Sequence, residues 1–305
     1  MVIPEMMKAV VTHGPHDYRY EQAEVKRAHM RGEVLLKIEG CGICAGDIKA
    51  YKGGEVFWGN GSTPGYLETP AIGGHEFSGT VVELTPETAI DKGLKIGDRV
   101  VVEQIVPCGE CRYCKRGEYS LCARHDVFGF KYYLNGGFAE YTLLPNKARI
   151  FKIPMDMDLK DAVLVEPYAC SYHAIERARI TNEDIVVISG SGPLGLGMVT
   201  AAKLKKPAKI IVLDLFDKRL NHALLFGADI TINPSRQNAV EEIRKLTEGY
   251  GCDVYIEATG PCVITAGDIQ ADSEVEILNP EHHIAALSED AHLSMEMTMG
   301  KGRNL

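Results

Sequence analysis

Four cysteines at short intervals, Cys108-x2-Cys111-x2-Cys114-x7-Cys122, carry the most specific chemistry in this chain of 305 residues. Thiolates at that spacing on one loop can close a tetrahedral zinc site with no position left for a substrate. Such a site is structural: it ties down a lobe and says nothing about a reaction. A second set is dispersed. Gly42-Ile43-Cys44-Ala45-Gly46-Asp47 holds a thiol in a glycine turn, Gly73-Gly74-His75-Glu76 an imidazole and a carboxylate, and Val165-Glu166-Pro167 another carboxylate. A catalytic zinc needs about three protein ligands and an open position. Cys44, His75 and one of Glu76 and Glu166 would supply them. Singly, each has an ordinary structural reading; their joint appearance around the four-cysteine loop points to a second metal centre.

A third motif, Gly190-Ser191-Gly192-Pro193-Leu194-Gly195, follows an apolar run at 185–189 and opens a helical stretch. A bare G-x-G-x-x-G is weak, but the strand–turn–helix context is the one a dinucleotide requires. Gly190, Gly192, Pro193, Leu194 and Gly195 are the expected cofactor-binding residues, since the glycines let the backbone approach a pyrophosphate at the helix N-terminus. Asp214 closes the next strand at about the expected distance. Its carboxylate can accept hydrogen bonds from an adenosine ribose and would repel a 2′-phosphate, which favours NAD over NADP.

The elements that must position these groups fall into two textures. Residues 1–150 are short apolar runs broken by Gly and Pro, among them 8–11, 33–38, 78–83 and 98–102, as in a sandwich or barrel. From 185 the pattern becomes β-rich runs at 185–189, 209–214, 229–232 and 253–257, alternating with helical stretches at 193–206, 217–226 and 236–248. That alternation builds a parallel sheet covered by helices. The fold expected is α/β with a β-rich front. After Gly260 the alternation stops.

The order of Cys44 with Asp47, His75-Glu76, the four-cysteine loop, Glu166-Pro167 and the 190–195 turn resembles zinc-dependent medium-chain dehydrogenases. Glu166-Pro167 resembles their polyol branch, which includes sorbitol-type enzymes; the segments 13–19 and 103–108 resemble its erythritol/threitol-type members. The resemblance covers about residues 7–260. It implies a GroES-like β-barrel catalytic domain with a structural zinc lobe (1–155) and a Rossmann NAD-binding domain (156–260). It also implies one catalytic and one structural zinc, and NAD-linked oxidation of a polyol or other secondary alcohol to a ketone. Asp47 joins the catalytic set on this ground, and one of Glu76 and Glu166 is expected on zinc with the other acting through water. Two positions depart from the family. Gly46 stands where a Ser or Thr hydroxyl usually begins a proton relay, and Lys49, read as exposed, stands where His is frequent.

The Rossmann sheet reads as truncated, with three strands of its first half and one of its second. Segments within 261–305, at 265–269, 275–284 and 300–303, resemble a fragment of the bacterial RNA polymerase α subunit, so this tail looks foreign. The alternative function is therefore a chimeric, catalytically weak or inactive zinc-binding remnant. The intact family implies a homo-oligomer, an expectation a shortened sheet weakens.

Cys41, Cys170 and Cys252 read as buried small residues, His173 as part of a helix joining the domains, and His125 as a flank of the zinc lobe. A net charge of −9 argues against nucleic-acid or anionic-membrane partners and leaves a small-molecule substrate. The absence of a basic-then-apolar start, together with thiols at metal spacing, points to the cytoplasm.

Overall fold

The structure is a computed structural model that describes residues 2–257 and the backbone of two short antiparallel strands, Val263–Thr265 and His283–Ala286. The readings of 261–305 as foreign, and of the sheet as ending early, otherwise lie outside the described residues. The chain divides into two compact units, Met1–Pro167 and Tyr168–Leu305.

The first unit runs β1 (Met6–Gly14), β2 (Asp17–Glu24), β3 (Val34–Gly42), α1 (Ala45–Tyr51), α2 (Glu55–Trp58), β4 (Ala71–Ile72) and β5 (Glu76–Leu84). It continues through α3 (Pro86–Lys92), β6 (Arg99–Val102), β7 (Ile105–Val106), α4 (Arg112–Lys115), β8 (Asp126–Val127), β9 (Tyr141–Leu144) and β10 (Ile150–Lys152) into α5 (Leu159–Ala178). One sheet has the order β2-β1-β4 and a larger one β10-β6-β5-β3-β9. Side chains alternate across a strand, and β3 shows the result. Val34 and Leu36 enter one core with Val81, Val100, Val102 and Leu144, while Leu35 enters another with Met7, Ala9, Val11 and Tyr141. Residues 138–140 bridge the two sheets: Val10 N donates to Phe138 O at 2.8 Å and Ile38 N to Glu140 O at 2.9 Å.

Two features of this unit prepare the site. Antiparallel pairing of β3 with β5 sets Gly42 opposite Glu76 and Cys41 opposite Phe77, so the end of one strand meets the start of the other. The glycines at 73 and 74 lie against those at 136 and 137. Gly136 N donates to Ile72 O at 2.7 Å, Gly137 N to Gly74 O at 2.9 Å and Phe138 N to Gly73 O at 2.9 Å. No side chain fits between them: a Cβ on Gly136 would lie 1.9 Å from Gly74 O.

The second unit holds the end of α5, then β11 (Ile185–Ser189), α6 (Pro193–Lys205), β12 (Lys209–Leu213), α7 (Asp217–Phe226), β13 (Ile230–Ile232), α8 (Ala239–Leu246) and β14 (Val254–Glu257). Among the described residues the strands are parallel in the order β13-β12-β11-β14, as the alternation of strand and helix implies. Val186, Ile188, Ile210 and Val212 pack with α6 and α7 on one face; Val187, Ile211 and Leu213 pack with Ile243 of α8 on the other. Each such fully buried side chain contributes roughly 1.5–3 kcal/mol. Among the described residues no helix is long and apolar enough to cross a membrane.

Because backbone stands where a Cβ would go, Gly136→Ala is expected to destabilise the first unit by about 3 kcal/mol or more. Thermal or denaturant unfolding checks this, and an unchanged midpoint would contradict the tight glycine contact.

Candidate functional site

Cys44, at the end of the turn after β3, caps α1. Its sulfur accepts from Gly46 N at 3.4 Å, and Asp47 Oδ2 accepts from Cys44 N at 2.9 Å, a reciprocal capping box. His75 and Glu76 stand at the start of β5, fixed by the Gly73-Gly74 contact and the β3–β5 register. Ligand atoms of Cys44, His75 and Glu76 all lie within 4.8 Å of one another. Gly42 makes room for this: a Cβ there would fall 2.3 Å from Glu76 Oε2. Of the two glutamates, the structure brings Glu76 into the cluster. Glu166, half-buried on α5, lies outside it, yet close enough for its charge to help raise the Cys41 thiol.

Burial sets the charge state of this cluster. It pushes the Cys44 thiol up to about 11, Asp47 up to about 6 and Glu76 upward, and it pulls His75 down to about 4. His75 is 4% exposed, and its Nδ1 is buried without a hydrogen bond; the Asp47 Oδ1 carboxylate oxygen is 3.7 Å away. A neutral imidazole beside a thiol and a carboxylate, with the Asp47 carboxylate nearby, is the donor set of a metal centre. The chain alone leaves that burial uncompensated, so the residues fit a divalent cation.

Phe130 tilts against the His75 ring with centroids 5.4 Å apart and stacks on Phe57 at 5.3 Å. These aromatics were not singled out in the sequence, where only a run of scattered rings is visible. Gly46 has ordinary space beside it, with Cys44 Sγ 3.7 Å from where its Cβ would be, and Lys49 is exposed as expected. Cys41 and Cys252 are partly buried, but Cys170 is exposed, a correction to the reading of all three as buried: it lies on the outward side of α5. His173 is on α5 and exposed; His125 follows Cys122 on the lobe and accepts from the Tyr66 hydroxyl.

The four loop cysteines are free thiols whose sulfurs all lie within 4.8 Å of one another, with Cys108 Sγ and Cys114 Sγ 3.9 Å apart. Backbone N–H groups point at three of them, from Cys108 to Cys122 at 3.3 Å, Cys111 to Cys108 at 3.4 Å and Cys114 to Cys111 at 3.5 Å. N–H donors from Ala123 and Cys114 bring Cys111 down to about 6, while burial and neighbouring thiols push Cys114 up to about 12. Negative charge is thus prepared and crowded, which suits a closed cation site. Cys108, Cys114 and Cys122 share one apolar cluster with Ala50 of α1 and with Phe130, so the lobe braces the wall beside His75.

In the second unit, Gly190 takes φ +92°, Gly192 caps α6 and Pro193 opens it. Asp214 is 7% exposed. Its Oδ2 accepts from Ser191 N at 2.8 Å and Ser191 Oγ at 3.0 Å, and Oδ1 from Phe216 N at 2.9 Å. The aspartate therefore also fixes the glycine turn, a role its spacing did not disclose. Arg219 Nη1 lies 3.8 Å from it.

Comparison with known proteins agrees with this geometry. Residues 30–155 match the Alcohol dehydrogenase GroES-like domain and residues 193–268 match Zinc-binding dehydrogenase. The chain is 50% identical over 258 residues to erythritol/L-threitol dehydrogenase of Mycolicibacterium smegmatis, covering 85% of this chain and 71% of that one. It is 36% identical over 259 residues to sorbitol dehydrogenase of Bacillus subtilis, covering 85% and 70%. A zinc-binding dehydrogenase structure from Sinorhizobium meliloti, bound to NADP, superposes with TM-score 0.74 at 30% identity, covering 84% and 71%. An Escherichia coli alcohol dehydrogenase complexed with NADH gives TM-score 0.71 at 30% identity, covering 84% and 70%.

A cation entering the Cys44–His75–Glu76 cluster must displace the Cys44 proton, since that thiol stays protonated far above neutrality, whereas His75 is already neutral. Zinc affinity at this cluster is therefore expected to rise about tenfold per pH unit between pH 6 and 8. Chelator competition at three pH values measures the slope; a flat dependence, or one unchanged in Cys44→Ser, would contradict the assignment.

Proposed function

The chain belongs to the zinc-binding alcohol dehydrogenase family, and on that premise we propose that it oxidises a polyol, or another secondary alcohol, to a ketone with NAD. The observation that carries this reading is the convergence of Cys44, His75 and Glu76 in a chain half identical to an erythritol/L-threitol dehydrogenase. Zinc held there would supply a Lewis acid for the substrate hydroxyl, and NAD would supply the hydride acceptor. Cys44, His75 and Glu76 would hold the metal, with the Asp47 carboxylate 3.7 Å from His75 Nδ1. Glu166 is the second carboxylate, acting through water rather than on the metal. Gly46 offers no hydroxyl, so the substrate's proton leaves through water or Glu166. Cys108, Cys111, Cys114 and Cys122 hold the structural zinc that braces Phe130.

The 190–195 turn and the start of α6 take the pyrophosphate. Asp214 receives the adenosine ribose and turns away a 2′-phosphate, which supports NAD over NADP. Cysteine thiols at metal spacing among the described residues fit a reducing, cytoplasmic setting. The alternative of a catalytically weak remnant is not favoured, because the similar proteins carry the names of dehydrogenases.

Zinc-loaded protein given NAD and a panel of erythritol, L-threitol and sorbitol is expected to produce NADH with at least one of them. Cys44→Ser should lower that rate at least about hundredfold by removing a metal ligand. No NADH across the panel would overturn the reading. Asp214→Asn keeps an acceptor for Ser191 but loses the charge, and is expected to raise the NADP-to-NAD ratio of kcat/KM about tenfold. An unchanged ratio in a folded variant would remove Asp214 from cofactor selection.

A further inference from the structure

Arg99 and Glu39 stand outside the metal cluster, yet their side chains join two strands to the segment that starts α5. Arg99 Nε and Nη2 both donate to Glu39 Oε2, at 2.9 and 2.7 Å, and Thr80 Oγ1 donates to the other Glu39 oxygen. The third arm, Nη1, donates to the carbonyls of Met155 at 3.0 Å and Met157 at 2.7 Å, while Ile153 N donates to the Arg99 carbonyl at 3.0 Å. The pair is largely withdrawn from solvent, with side chains 12% and 25% exposed.

What this fork holds leads in two directions. From Glu39, β3 runs on through Cys41 and Gly42 toward Cys44. From Met157, the chain enters α5, whose first residue packs on the same strand: a Cβ on Gly40 would lie 3.0 Å from Leu159 Cδ1. Ala162 and Val165 pack with Val101 and Ile153. Glu166 follows, about 10 Å along the helix from Leu159. One ion pair thus ties the strand that leads to Cys44 to the segment that leads into the helix carrying Glu166. The planar guanidinium serves a carboxylate and three carbonyls at once, Pro154 O at 3.5 Å being the third, whereas a lysine ammonium has no such fixed fork.

We propose that the Glu39–Arg99 pair sets the position of Glu166 relative to the Cys44–His75–Glu76 cluster, Arg99 being a positioning residue. The inference rests on the metal role proposed above for that cluster. It is tested by a double-mutant cycle on zinc affinity, using Arg99→Met, Glu166→Gln and the two combined, with chelator competition for the zinc that Cys44→Ser loses. Each single variant is expected to weaken that zinc about tenfold, as loss of an outer-shell partner does, and the double variant no further than the worse single. Arg99→Lys should match Arg99→Met in zinc affinity while recovering thermal stability. In turnover, kcat should fall while KM for NAD stays unchanged.

A zinc affinity within twofold of wild type in Arg99→Met, or effects that multiply in the double variant, would overturn the proposal. Where Arg99→Met does not fold, Glu39→Gln and Arg99→Lys carry the same cycle. A wild-type chain that binds two zincs but makes no NADH would sink the proposed reaction and leave the zinc cycle to decide this one.

Discussion

Desolvation of Cys44, His75 and Glu76 is the constraint from which the rest of the site follows. Burial holds the thiol protonated, the imidazole neutral and the carboxylate less acidic, and leaves His75 Nδ1 without a hydrogen bond. Buried polar groups in that condition are unfavourable by several kcal/mol unless something compensates them. A cation would. The backbone must therefore keep the three side chains together at an energetic disadvantage of its own, and it does so with contacts that tolerate no side chain. The β3–β5 register faces Gly42 toward Glu76, and Gly73 and Gly74 lie flush on Gly136 and Gly137.

The cysteine lobe has a purpose within the same account. Its thiols share an apolar cluster with Ala50 and Phe130, and Phe130 leans on His75. Loss of order in the lobe would loosen both the helix that Cys44 caps and the wall beside the imidazole. A lobe suited to a closed cation site thereby supports the cluster on which the proposed reaction depends.

The parts most legible in the sequence were those written in local spacing. The four cysteines announce their site within fifteen residues, and the period of strand and helix in the second unit gives β11 to β14 and the covering helices almost to the residue. The choice between Glu76 and Glu166 was not legible, because it depends on the β3–β5 register and on the missing side chain of Gly42. The bonds from Asp214 to Ser191 were hidden for a similar reason: they span two elements and follow no interval. Arg99 stands at the head of a strand with no motif around it, and only the path of residues 153–158 past it reveals its connections. Cys170 was misjudged because its helix, with Pro167 inside it, has no clean apolar stripe to mark which side is buried.

X-ray absorption at the zinc edge, on protein carrying its full complement of metal, addresses the central claim most directly. Two sites, one closed by Cys108, Cys111, Cys114 and Cys122 and one formed by Cys44, His75 and Glu76, predict an average of about two to three sulfur neighbours per zinc with lighter N/O scatterers making up the remainder. Cys44→Ser should leave a single zinc surrounded by four sulfurs. A wild-type spectrum already showing four sulfurs and one zinc per chain would mean that the His75 cluster holds no metal.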